Sequence, residues 1–282
     1  MYGIRELHQI EPFLASLYAA CEAQQVPARA TISEGAPGQM EIALAHGDAL
    51  TAIDQAIRYK RLVKLVAQQH GMEATFMAKP FAKQAGSGLH MYVSLVDNAG
   101  NNLFADPDPA GSPLLRHAVA GLLDKLGEAF LVFCPNANSY ARFKPMSFVP
   151  TAATWGINNR TVAVRVPAGP ALSRHIEHPV SGADANPYLV AAAVLAGMLS
   201  GLEAGELPCM PVEGNAQTTA QDAPALPMDW ASALDKWHRS QWARSMFGDR
   251  FVDLYHAIKT AERQAYHDEV SEKDWRRYLV QA

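Results

Sequence analysis

In the stretch HMYVSLVD, residues 90–97, polar and apolar side chains alternate over residues 90–95. Successive side chains of a strand leave opposite faces, so His90, Tyr92 and Ser94 point one way and Met91, Val93 and Leu95 the other. TVAVRVP, residues 161–167, does the same, with Arg165 opposite Val162, Val164 and Val166. Period-two alternation with one apolar face asks for a sheet covered on one side and open on the other. HIEHPV, residues 175–180, is a further candidate strand and carries Glu177. Two short strands, near residues 30–33 and 40–44, flank an Ala-Pro-Gly turn and bring Glu34 and Glu41. ATFMAKP reads as another strand, ended by Pro80.

The covering elements are helices. Ile10, Phe13, Leu14, Leu17 and Tyr18 recur at helical spacing within residues 9–25. Residues 47–71 form a long amphipathic pattern, with Asp48 suited to the N-cap and Gly71 to the C-terminal stop. A helical stretch runs over residues 113–126. PYLVAAAVLAGML is shorter than the roughly 20 residues a membrane span needs and reads as a buried helix. Asp184 or Asn186 can cap it, and Pro187 suits its first position. Residues 229–282 read as three short helices anchored by Trp230, Trp237, Trp242 and Trp275. Loops punctuate the pattern: FAKQAGSG, the long CPNANSYARFKPMSFVP, and a Pro-, Gly- and Gln-rich surface excursion over residues 205–228. The sum is one α+β domain over residues 1–282, with its core in 30–204 and a curved antiparallel sheet backed by helices.

Composition narrows the function. Net charge is −4 with no basic block, which argues against binding nucleic acid through its phosphates. Cys21, Cys134 and Cys209 are far apart and form no CxxC, which fits a reducing, cytoplasmic setting. The first residues, MYGIRELHQIEP, carry charges where a signal peptide needs an apolar core, so no membrane partner is expected.

Alternation gathers Glu41, His90, Ser94, Arg165 and Glu177 on one face, and Glu34 joins if the Pro-Gly turn resets the register. Carboxylates with one histidine and no cysteine suit Mg²⁺ or Mn²⁺ better than zinc. Arginines beside them point to a phosphate-bearing substrate. Taken singly, each has a plainer reading: an acid at a solvated strand end, a structural histidine, a surface arginine, a turn at GSG. Their combination is what points to chemistry.

EGAPGQME, ATFMAKP, GSGLH, NSYARF, NNRTVAVRVP and IEHPVSGADANPYL occur in this order. Together they resemble the catalytic part of the glutamine synthetase family, in particular its γ-glutamylpolyamine synthetases. The resemblance implies a half-barrel fold and a ligase in which ATP phosphorylates the γ-carboxylate of glutamate before an amine displaces phosphate. It implies two divalent ions, one held by Glu34 and Glu41, the other by His90 and Glu177. It implies Gly86 and Arg142 at the glutamate site, Arg160 and Arg165 on the transferring phosphoryl group, Arg160 also beside the substrate, and Ser94, Arg165 and Arg174 at the nucleotide. A homo-oligomer is expected from the family.

The chain departs from the family pattern. It opens in the helix before Glu34, so neither an N-terminal β-grasp domain nor an E-x-E strand is expected, and each ion is left with two protein ligands. Phe148 stands where ammonia-using members carry a loop glutamate. A phenyl ring cannot take a proton but can line a pocket for an alkyl amine or polyamine. Pro179, His175, Tyr92 and Ala85 replace an arginine, an arginine, a histidine and an asparagine. Two readings therefore stand: a glutamate–amine ligase, or a catalytically impaired glutamine synthetase-like module. A metal-dependent hydrolase lacks a nucleophile or base motif.

Overall fold

The computed structural model describes residues 3–144 and 147–280. Helices α1 (Ile4–Gln9) and α2 (Glu11–Ala23) lead into a hairpin of β1 (Ala28–Ser33) and β2 (Met40–Leu44). Helix α3 (Ala49–Gln69) follows. Asp48 caps it by accepting from the Thr51 amide, and Gly71 beyond its end adopts φ +67°. These elements enclose a small core of Leu17, Cys21, Val26, Leu62 and Val66.

The rest is built on a second sheet of β3 (Met91–Val93), β4 (Trp155–Ile157), β5 (Val164–Val166) and β6 (Ile176–His178), in the order β3-β6-β5-β4. It is not wholly antiparallel, because β4 and β5 run parallel. Residues 74–80, expected as a strand, are none: the Met77 amide donates to the Thr75 hydroxyl and the Lys79 amide to the Asn138 side chain. Side chains there have taken the ladder's bonds.

Helices α4 (Pro113–Lys125), α5 (Phe130–Phe133) and α6 (Pro187–Ala204) back the sheet, followed by the short α7 (Ala216–Thr219). Asn186, not Asp184, caps α6 by accepting from the Tyr188 and Leu189 amides. α6 is long and apolar enough by composition to cross a bilayer, yet Val190, Ala191, Ala193, Val194 and Met198 are buried in this core. It packs on α4 through glycines. A Cβ on Gly121 would lie 2.2 Å from the Gly197 carbonyl oxygen, and one on Gly201 would lie 2.0 Å from that of His117. The two backbones touch, and no side chain fits between them.

Among the described residues, the C-terminal part holds four helices rather than three: α8 (Trp230–Arg239), α9 (Gln241–Phe247), α10 (Asp249–Asp268) and α11 (Glu272–Tyr278). Trp230, Trp237 and Trp242 join the main core, whereas Trp275 is exposed. Within the sheet, Val164, Val166 and Ile176 are fully buried on the helix side. Met91, Val93 and Leu95 pack on the same core. The other face is polar.

Candidate active site

Register aligns the polar face. Tyr92 of β3 lies opposite Glu177 of β6, and Glu177 lies opposite Arg165 of β5. Opposed residues project to one side of a sheet, so the three form a row. Glu177 is 4% exposed. Its Oε2 accepts from Arg165 Nη1 at 2.7 Å, and His90 Nδ1 lies 3.2 Å from its Oε1. Burial alone would raise this carboxyl's pKa, but the hydrogen bonds and charges of His90 and Arg165 outweigh it and hold it below the usual range. Arg165 Nη2 donates to Asn158 Oδ1 at 2.6 Å. Asn158 adopts φ +51°, a left-handed conformation that asparagine tolerates better than most residues. The sequence reading missed Asn158; its signal was the Asn-Asn pair before Arg160.

Tyr92 marks the rest of the face. Burial first, then the charges of Glu177 and Glu41, push its phenol up to about 12, against the pull of Arg165 and Arg160. Glu41 and Arg160 therefore stand near it, and His175 packs on its ring at 5.5 Å. Ser94 is exposed one alternation beyond Tyr92.

The hairpin resolves the placement of the two acids. Ile32 pairs with Glu41, and the Glu34 amide donates to the Gln39 carbonyl at 2.8 Å. Glu34 thus faces Gln39, two residues from Glu41, so both acids lie on one side of the ribbon. Gly38 supplies the turn at φ +72°. Gln39, also missed in the sequence, fastens the tip: its Nε2 donates to the Gly86 carbonyl at 2.9 Å.

Arg142 ends a 3₁₀ helix, Ala137–Arg142, and is 5% exposed. Its Nη1 donates to the Val180 carbonyl at 2.9 Å, and its Nε is buried with no hydrogen-bond partner. A Cβ on Gly86 would sit 2.9 Å from Arg142 Cγ, and one on Gly88 would sit 3.2 Å from its Nη2 and 3.3 Å from His90 Nε2. The glycine loop therefore lies against both the guanidinium and the imidazole. Burial lowers the Arg142 pKa, with the charges of Cys134 and Asp184 opposing.

Two expected residues stand apart. Arg174 is 5% exposed, with Nη2 donating to the Asp106 carbonyl and its stem beside Gly111. It precedes Ile176 by two residues, which sends it toward the buried side of the sheet rather than the polar one. Phe148 is 72% exposed, on a loop that Gln217 pins by donating to the Ser147 and Val149 carbonyls. Pro145 and Met146 of that loop lie outside the described residues.

Among the described residues, no three His, Cys, Asp or Glu side chains converge to hold a metal ion. The donors come in pairs instead: His90 with Glu177, and Glu34 with Glu41 on the ribbon. Magnesium keeps several waters and takes substrate phosphate oxygens, so two-donor sets of this chemistry suit it.

The catalytic-domain model of glutamine synthetase matches residues 1–278. The chain is 41% identical over 276 residues to γ-glutamylputrescine synthetase PuuA of Escherichia coli, covering 97% of this chain and 58% of that one. It is 37% identical to γ-glutamylethanolamide synthetase GlnA4 of Streptomyces coelicolor, covering 98% and 59%. Identity to a glutamate–isopropylamine ligase of a Pseudomonas species is 38%, covering 89% and 55%. The chain thus spans less than three-fifths of these relatives' length. The solved structure of GmaS without ligand superposes with a TM-score of 0.89 at 30% identity, covering 99% of this chain and 65% of that one. The chain belongs to the glutamine synthetase catalytic-domain family.

Proposed function

We propose that the protein is an ATP-dependent ligase that joins the γ-carboxylate of glutamate to an alkyl amine or polyamine. The observation that carries the reading is two differently held cations beside the His90–Glu177 pair, Arg142 across Gly88 from His90 and Arg165 bonded to Glu177. Arg142 is a buried guanidinium with an unused donor, wrapped by glycines. Arg165 is fixed by Glu177 and Asn158. The first suits the substrate's α-carboxylate, since a planar fork recognises carboxylates in two-point fashion. The second is a stationary positive charge for a transferring phosphoryl group, joined by Arg160 on the loop after β4.

In the first step a γ-carboxylate oxygen of glutamate attacks the terminal phosphorus of ATP, and ADP leaves. In the second the amine nitrogen attacks the acyl carbon, phosphate departs, and the amine loses a proton. Arg142 orients the amino acid, Ser94 borders the nucleotide, and Glu177 keeps Arg165 from swinging out of line. Divalent ions, Mg²⁺ or Mn²⁺, held by His90 with Glu177 and by Glu34 with Glu41, would neutralise phosphate charge. Phe148 lacks the proton acceptor an ammonium pocket needs, which favours larger amines over ammonia.

The test is ADP release by the chain with ATP, Mg²⁺, glutamate and a panel of putrescine, isopropylamine, ethanolamine and ammonia. Release that depends on an organic amine and exceeds that with ammonia supports the ligase. A second reading, an impaired module, is favoured by Pro179 and Tyr92, which stand where the family carries an arginine and a histidine. It predicts binding of ADP and glutamate without turnover.

A further inference from the structure

Of the two residues expected to cap α6, Asp184 or Asn186, it is Asn186 that does so. What Asp184 does instead is visible in its partners. One oxygen, Oδ2, accepts from Asn136 Nδ2 at 2.8 Å and from Ser139 Oγ at 2.7 Å. Those residues open and run through the 3₁₀ helix that ends in Arg142. The residues just before Asp184 bond to neighbouring segments. The Gly182 amide donates to the Phe133 carbonyl at 3.1 Å, and the Ala183 amide donates to the Ser87 carbonyl at 3.0 Å. Lys60 of α3 donates to the Ala183 carbonyl at 2.8 Å. Segment 182–184 therefore joins the Arg142 helix, the glycine loop and the N-terminal elements at one point.

The arrangement has a reason. A short 3₁₀ helix has few and poorly aligned backbone bonds, so it does not hold a buried guanidinium in place by itself. A carboxylate oxygen taking two donors from one turn supplies the missing rigidity. The second oxygen, Oδ1, is buried with no hydrogen-bond partner. The carboxylate attracts both Arg142 and Lys60.

We infer that Asp184 is a positioning residue for the Arg142 subsite, acting through the two bonds it accepts from Asn136 and Ser139. The inference rests on the proposed role of Arg142 in holding the amino-acid substrate. Two substitutions separate the bonds from the charge. Asp184→Asn keeps an acceptor for both donors and removes the charge. Asp184→Ala removes both bonds.

Two readouts are needed, on the full chain. Hydrogen exchange over residues 137–142 reads the brace whether or not glutamate binds. It is expected to speed at least tenfold in Asp184→Ala and to stay near wild type in Asp184→Asn. Calorimetry with glutamate, and separately with ADP, reads the subsite. Glutamate affinity is expected to fall at least tenfold in Asp184→Ala and recover to within about threefold in Asp184→Asn, with ADP affinity unchanged in both. Ser139→Ala, a milder lesion, is expected to fall between them. Unchanged exchange in Asp184→Ala overturns the inference. So does equal loss of ADP and glutamate binding, which marks general unfolding. A wild-type chain that binds no glutamate, with exchange responding as expected, overturns the proposed function and leaves the brace standing.

Discussion

The two cores of the molecule hold their functional side chains by different means. The large core fixes His90, Arg165 and Glu177 through a sheet whose far side packs into it, fully buried at Val164, Val166 and Ile176 and partly at Met91 and Val93. The small core, five buried residues between α2, the hairpin and α3, carries Glu34 and Glu41. It meets the large one where α3 packs on α6 and through polar links: Lys60 to Ala183, Gln39 to Gly86, and the Tyr188 hydroxyl to Asp54 at 2.5 Å. Apolar packing sets the first group; one helix contact and a few hydrogen bonds set where the second group meets it. The site's rigidity is therefore unequal, and substitutions can address either half.

The largest effect is expected at the helix crossing. Gly121→Ala or Gly201→Ala forces backbones apart and should cost about 3 kcal/mol or more, read as a fall in thermal midpoint. A midpoint unmoved by either change would break the picture of a large core set by contact between backbones.

His178 gives an effect of similar size through pH. Its ring is fully buried, packed on Phe133, and both nitrogens lack hydrogen-bond partners. Burial lowers its pKa to about 4. Between the ordinary histidine value and that one, the unfolded chain takes up a proton that the folded chain refuses. Stability therefore falls as pH drops from about 7 to 4, by about 3 kcal/mol in the limit. Denaturant midpoints of wild type and His178→Phe across that window check this, with the slope expected to flatten in the variant. Glu177 adds to the same trend at lower pH, since its depressed pKa gives stability that is lost on protonation.

The polar links come next. Lys60→Met removes a charged donor to a backbone carbonyl and should cost about 2 kcal/mol. Its signature is faster hydrogen exchange in β1 and β2 with little change in β5 and β6. Uniform acceleration would mean that the two cores are not separable. Gln39→Ala is the mildest, about 1 kcal/mol. It should weaken Mn²⁺ binding while leaving the thermal midpoint nearly unchanged.

Much of this was legible in the sequence where a period carried it. Alternation in residues 90–95 and 162–166 placed His90, Tyr92 and Arg165 on the open face correctly, because one-residue slips would bury charge. Caps at Asp48 and Asn186 were readable for the same local reason. Register between strands was not. Whether Glu34 and Glu41 shared a side depended on pairing across the turn, which no single strand encodes. Arg174 is buried beside Asp106 and Gly111, a placement that its motif does not show. Gln39, Asn158 and Asp184 act through contacts 47, 7 and up to 48 residues away in the chain, which no local pattern shows.

The proposed ligase needs both donor pairs, Glu34 with Glu41 on the small core and His90 with Glu177 on the large one, to hold divalent ions beside one nucleotide. Titration of Mn²⁺ into the chain with ADP, followed by electron paramagnetic resonance, tests it directly in wild type, Glu41→Gln and Glu177→Gln. Each substitution, though made on a different core, is expected to weaken Mn²⁺ binding in the presence of ADP at least tenfold. Wild-type affinity retained in Glu41→Gln would contradict it.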